Sequence, residues 1–275
     1  MDSNEANNMQ DDVDKQRIGY QERAVVRHRG GVQSRAVDRV AEELPVALVF
    51  NGISHAVMMA TPRDLEAFAV GFALTEGIVK SRAEIYDMEV RLNGANAEVE
   101  LTIAQPAFLQ LKDKRRTLSG RSGCGVCGIE SLELLDLDPE PIHAPALPAQ
   151  LAPAIARAAR ELTEHQELMR ATGGVHAAAW CQPDGAVVAV FEDVGRHNGL
   201  DKLIGHLALN GVDTRGGFVF MSSRGSYELA RKAARMQIPM LATISAPSSL
   251  AIDIATQAGM KLVSFCRQDG FVEYT

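Results

Sequence analysis

What this sequence lacks narrows its identity first. No run of eighteen or more apolar residues occurs, so no membrane-spanning helix is expected. The opening residues, MDSNEANNMQDDVDKQ, have neither a basic stretch nor an apolar one, so no secretory signal is read there. They are polar and acidic, and a disordered tail is expected over residues 1–20. Cysteine is scarce: four in 275 residues do not build a disulfide scaffold. The reducing cytoplasm is then the expected compartment, where a Cys-x-x-Cys pair is more often metal-binding or redox-active than structural. A surplus of positive charge is missing as well. The net charge of −7 weighs against nucleic-acid binding.

What is there reads as a soluble globular chain, 46% hydrophobic and 23% charged, long enough for one large domain or two smaller ones. Residues 136–153, DLDPEPIHAPALPAQLAP, hold five prolines and read as a linker. A β-rich N-terminal lobe is therefore expected over 21–140 and a second lobe over 141–275. In the first lobe, RAVVRH and PVALVFNGISHAVMMA read as strands, with Asn51-Gly52 as a hairpin turn. TPRDLEAFAVGFALTEGIV reads as a helix capped by Thr61, with Pro62 in first position and an end at Glu76-Gly77. MEVRLNGANAEVELTI is a second hairpin. After it comes a glycine-rich loop, SGRSGCGVCGIE, carrying Cys124 and Cys127.

The second lobe opens on a helix over 152–169. A hairpin follows, VHAAAWCQ and AVVAVFED, joined by Pro183-Asp184-Gly185. Helices and strands then alternate: LDKLIGHLAL, GFVFMS, YELARKAARM, PMLATIS, LAIDIATQAG, KLVSFC. That alternation implies an α/β fold with a mixed, mostly parallel sheet. In such sheets ligands bind beyond the carboxyl ends of the strands. The loops expected there are VGRHNG (194–199), SRGS (223–226), APSS (246–249) and RQDG (267–270). Glycine, serine and arginine at helix N-termini suit an anionic ligand, a phosphate above all. Glu192, Asp193, Arg196 and His197 crowd one strand end, either to bind a ligand or to organise the turn. His176, Cys181 and Cys266 read as structural.

Three chemistries fit the Cys124/Cys127 loop. A Cys-x-x-Cys pair can be half of a zinc site. The zinc deaminase pattern fails, however, because no glutamate stands two residues after His176 and no proline precedes Cys124. Thioredoxin-like redox fits the spacing, but no helix pattern surrounds the pair. Sulfur or acyl carriage uses every feature: Gly120, Gly123, Gly125 and Gly128 let the loop swing, and neighbouring cations, among them Arg115, Arg116 and Arg121, favour a thiolate or meet an acidic partner.

In this order, SGCGVCG, TGGVHAA, FEDVGRHNGLDKLIG, SSRGSYEL and APSSLAIDIA resemble the formate dehydrogenase accessory sulfurtransferase family, FdhD, from about residue 20 to the end. The resemblance implies a second lobe similar to the cytidine deaminase fold. It implies a sulfurtransferase working through a cysteine persulfide. A cysteine desulfurase would be the donor, the molybdenum bis(guanine dinucleotide) cofactor the recipient, and formate dehydrogenase the client. Cys124 matches the family's persulfide cysteine and Cys127 the second of the pair. Phe265, Cys266, Arg267, Gln268, Asp269 and Gly270 match its cofactor-contacting segment, where a more basic stretch than CRQDGF is expected. With the strand-end loops, the expected cofactor-binding set adds Arg196, His197, Asn198, Ser223, Arg224, Gly225, Ser226 and Ser248. A homodimer, no permanently bound metal, and neither nucleic acid nor membrane as partner complete the expectation. The alternative is a cofactor-binding chaperone whose Cys-x-x-Cys is a metal-bound or regulatory site.

Overall fold

The computed structural model describes residues 18–116, 138–143 and 147–275. Cys124, Cys127 and Arg121 lie outside the described residues. The described residues open on a hairpin, β1 (Tyr20–Arg29) and β2 (Val32–Ala41), whose strands pair, among the described residues, only with each other. Gly30 and Gly31 make its turn with φ of 57° and 80°, where a side chain would be strained. The sequence reading found one of these strands and missed that turn.

A four-stranded sheet follows, in the order β4 (Ile53–Ala60), β3 (Leu44–Phe50), β6 (Asn96–Ile103), β5 (Ile85–Asn93). Its Asn51-Gly52 turn stands where expected, and the hairpin read in MEVRLNGANAEVELTI turns at Gly94-Ala95. Helix α1 (Leu65–Thr75) links β4 to β5. It ends at Glu76-Gly77 as read, but it starts later than Thr61-Pro62: Asp64 occupies the cap position, left-handed at φ 55°. Thr61 is drawn off to buried hydrogen bonds with the second half. A helix to which the sequence reading gave no element, α2 (Gln105–Arg116), precedes the cysteines. Ala107, Phe108 and Leu111 give it a buried stripe, so part of the basic run belongs to a helix.

In the second half, α3 (Leu151–His165) and α4 (Glu167–Thr172) lead into β7 (His176–Cys181) and β8 (Val187–Asp193). Then come α5 (Arg196–Leu209), β9 (Phe218–Met221), α6 (Tyr227–Arg235), β10 (Met240–Thr243), α7 (Ser249–Ala258), β11 (Lys261–Ser264) and β12 (Val272–Glu273). They form a mixed six-stranded sheet, ordered β12-β11-β10-β9-β7-β8. Its parallel part is β9, β10 and β11, narrower than the mostly parallel sheet expected. The physical reason is the β7–β8 hairpin. Its tight turn reverses the chain, and α5 then returns it on the far edge of β7, so β7 is antiparallel to both neighbours.

Period-two alternation sorts the core. Phe218 and Phe220 of β9 join Ile155, Ala158 and Leu162 of α3 on one face. Val219 and Met221 face the other way, into a larger cluster. That cluster takes in Val46, Leu48, Phe50 and Phe68 together with Leu200, Leu203, Leu229 and Leu241, so residues from both sides of the expected lobe boundary share one core. Two glycines let α1 and α5 touch. A Cβ on Gly71 would stand 1.8 Å from the Asp201 carbonyl oxygen, and one on Gly205 1.7 Å from that of Ala67. Part of the proline-rich stretch is tied down: the Ile142 N–H donates to the Ala258 carbonyl at 2.8 Å. Among the described residues no helix is long and apolar enough to cross a membrane.

Candidate functional site

The ends of β8, β9, β10 and β11, with the start of β7, meet along one edge of the large sheet. The edge is built on a buried ion pair. Asp193 and Lys202, both fully buried, meet at 2.7 Å. The Asp193 carboxylate also accepts from the N–H groups of Thr61 (2.9 Å) and Gly195 (2.8 Å) and from the Asn198 amide (2.9 Å). Lys202 donates to the Thr61 carbonyl at 3.0 Å, and Thr61 Oγ1 accepts from the Val194 N–H at 3.2 Å. A buried charge is tolerable when it is this fully paired. The network clamps the end of β4 to the first turn of α5. Glu192 turns the other way and accepts from the N–H groups of Leu168 (2.7 Å) and Met169 (2.9 Å), holding α4.

The expected VGRHNG loop is therefore partly helix, since α5 begins at Arg196 with Gly195 as its cap. Asn198 and Gly199, poor helix formers, hid that start. Asn198 also faces inward: its amide is committed to Asp193 and to the Met59 carbonyl at 2.8 Å. Arg196 and His197 remain at the edge. Among the described residues, Arg196 Nε is a buried polar atom without a hydrogen-bond partner, while His197 and Ser226 both lean on the Glu228 carboxylate. His197 Nε2 stands 3.5 Å from Glu228 Oε2, a loose contact between α5 and α6. His197 still holds the half-buried Glu228 carboxyl down to about 2, against the opposing effect of burial. Burial, then the charges of Arg196 and His197, push the His176 imidazole below its ordinary value, toward the neutral form.

Beyond β9 and β10 the two loops zip together. Gly225 pairs with Pro247 in parallel, the Gly225 N–H donates to the Ala246 carbonyl (3.2 Å), and the Ser248 N–H donates to that of Gly225 (2.8 Å). Ser223 is buried, Arg224 exposed. Ser248 caps α7 by accepting from the Ala251 N–H, whereas the Ser226 side chain makes no such cap for α6. At the end of β11, Phe265 is left-handed at φ 54° and exposed. Cys266 is buried in the core, so its side chain does not face the edge. Arg267 donates to the carbonyls of Ile244 (2.6 Å) and Cys266 (2.9 Å), placing its guanidinium against the end of β10. Gln268, Asp269 and Gly270 are exposed beside it.

The structure thus brings Arg196, His197, Gly225, Ser226, Ser248 and Arg267 to one edge, with the N-termini of α5, α6 and α7. Fixed N–H dipoles and arginines suit a ligand with several negative charges. Sequence reasoning missed Thr61, Lys202 and Glu228. Lys202 carried one usable signal, a lone cation among the apolar residues of LDKLIGHL.

The model of the FdhD/NarQ family matches residues 41–275. The sulfur carrier protein FdhD of Chromobacterium violaceum is 68% identical over 265 residues, covering 96% of this chain and 98% of that relative. The protein of the same name from Acinetobacter baylyi is 51% identical, covering 94% and 93%. A crystal structure of a putative formate dehydrogenase accessory protein from Desulfotalea psychrophila superposes with a TM-score of 0.74 at 25% identity, covering 93% of this chain and 96% of that one.

Proposed function

The chain belongs to the FdhD/NarQ family, and from that premise we propose that it carries sulfur as a cysteine persulfide to a guanine-dinucleotide molybdenum cofactor held at the strand-end edge, for use by formate dehydrogenase. The observation that carries the reading is the edge itself: three helix N-termini beside Arg196, whose buried Nε has no hydrogen-bond partner among the described residues. Such donors match the pyrophosphates of a dinucleotide. The cysteines support the rest. Burial pushes the Cys181 thiol far up and the Cys266 thiol up to about 12, so neither is a usable thiolate. Thiol chemistry in this four-cysteine chain falls to Cys124 and Cys127.

The Cys124 thiolate attacks the outer sulfur of a persulfide on a cysteine desulfurase. The donor's S–S bond breaks, its thiolate leaves, and Cys124 holds the new persulfide. Release as sulfide needs two electrons. A Cys127 thiolate attacking Cys124 Sγ supplies them, expels hydrosulfide to the cargo, and leaves a Cys124–Cys127 disulfide for an external dithiol to reduce. Intact mass spectrometry after incubation with a cysteine desulfurase and cysteine tests the carrier. A gain of one sulfur atom, removed by reductant and missing in Cys124→Ala alone, is expected. Stoichiometric zinc with no added sulfur would sink the proposal.

A further inference from the structure

The β1–β2 hairpin has no role in the site, and its exposure needs an explanation. Its strands are ten residues each, a ribbon about 33 Å long. Almost every position is exposed on both faces, Val26 at 56% and Val37 at 61% among them. A two-stranded ribbon alone in water is marginal. Its charge also opposes the rest of the chain. Residues 20–41 hold five arginines and two acids, a net +3, while the whole chain carries −7. Both acids are already spent inside the ribbon, Asp38 on Arg27 at 3.0 Å and Glu22 on Arg39 at 3.5 Å. Arg23, Arg29 and Arg35 have no carboxylate partner among the described residues.

The register interleaves these arginines with apolar residues. One face carries Ala24, Val26, Val37 and Arg35; the other carries Arg23, Val25, Arg29, Val32 and Ala36. Arginine is enriched at protein interfaces, and here it stands beside exposed apolar side chains on both faces. A single-strand nucleic-acid surface stacks bases on aromatics, and the one aromatic here, Tyr20, lies under Arg39 at 5.1 Å, while the chain's net charge of −7 weighs against a duplex. The ribbon is rooted beside the candidate site. Gly19, at its base, packs against Arg63, Leu168 and Thr61, and Thr61 belongs to the network that holds α5. The family model begins at residue 41, so this feature lies outside what the family model describes.

We propose that the hairpin is a docking arm for an acidic protein surface, that of the enzyme which takes over the phosphorylated cargo from the neighbouring edge. The partner's identity rests on the carrier reading above; the arm's chemistry does not. Cofactor-free formate dehydrogenase from the same organism is the probe, its binding to the full chain followed by biolayer interferometry across a salt series. In the triple variant Arg23→Glu, Arg29→Glu, Arg35→Glu, binding is expected to weaken by about tenfold or more and to lose its salt dependence, with GDP affinity and melting temperature unchanged. Binding of the variant equal to wild type overturns the arm. A loss confined to desulfurase binding, or to self-association, with the client bound normally, also overturns it. Failure of the wild-type chain to bind the client overturns both this inference and its client.

Discussion

Arg196 is held at the strand-end edge by groups that never face it. The Asp193 carboxylate fixes Gly195 and Asn198 on either side, and the arginine's Nε is left without a partner among the described residues. Arg196→Gln is therefore expected to lower GDP affinity by about tenfold to a hundredfold, the worth of one charged hydrogen bond, with little change in melting temperature. Calorimetric titration checks it, and unchanged affinity would remove Arg196 from the site. Glu228 gives a prediction with a sign. Its carboxyl titrates near 2 in the fold against 4.5 in an open chain. A depressed folded value contributes stability above about pH 4.5 and loses it as pH falls toward 2. Wild type should exceed Glu228→Gln by about 2 kcal/mol at pH 6, and the gap should close by pH 2 in urea unfolding.

At the scale of elements, the contact between α1 and α5 decides where the edge sits, because α5 carries Arg196 and His197. Gly71 and Gly205 bring the two backbones together where any Cβ would collide with a carbonyl. Gly205→Ala should cost about 3 kcal/mol, since neither helix can move without displacing its sheet. Loss of less than about 1 kcal/mol in denaturant unfolding would show that the pair gives way. Strands and helices of the second half were legible because their periods are clean: FVFM and MLAT are short apolar runs, and YELARKAAR is strongly amphipathic. Two starts were not. The N-terminus of α5 is hidden by Asn198 and Gly199, whose poor propensity is overridden by Asp193. The start of α1 is delayed because Thr61, a good cap by type, is buried against β8 instead.

Across the whole molecule, buried cations stitch the halves, Lys202, Lys232 and Arg231 among them. Lys202 reaches Thr61 from α5. Lys232 on α6 meets Asp201 and Glu76 at 2.8 Å each, and burial would lower its pKa but those carboxylates hold it up. Lys202→Met strands the Asp193 charge in the core and should destabilise the protein by about 3–5 kcal/mol. Adding Asp193→Asn should recover part of that loss by removing the orphaned charge. If the double variant is no more stable than the single, the pair is not what the core depends on.

By itself the sequence determined the local content: the hairpins at Asn51-Gly52 and Pro183-Asp184-Gly185, the alternating strands and helices after residue 200, the Cys124/Cys127 pair, and the family resemblance. Each of these rests on residues close in sequence, or on a string read directly. The tertiary structure decided which side chains face the strand-end edge. Asn198 and Cys266, both expected at the edge, face the interior, while Glu228 and Lys202, to which the sequence assigned no role, shape it. It also brought Thr61 to Asp193 across 132 positions. Partners that far apart are chosen by how sheets and helices pack, and no local spacing encodes that choice.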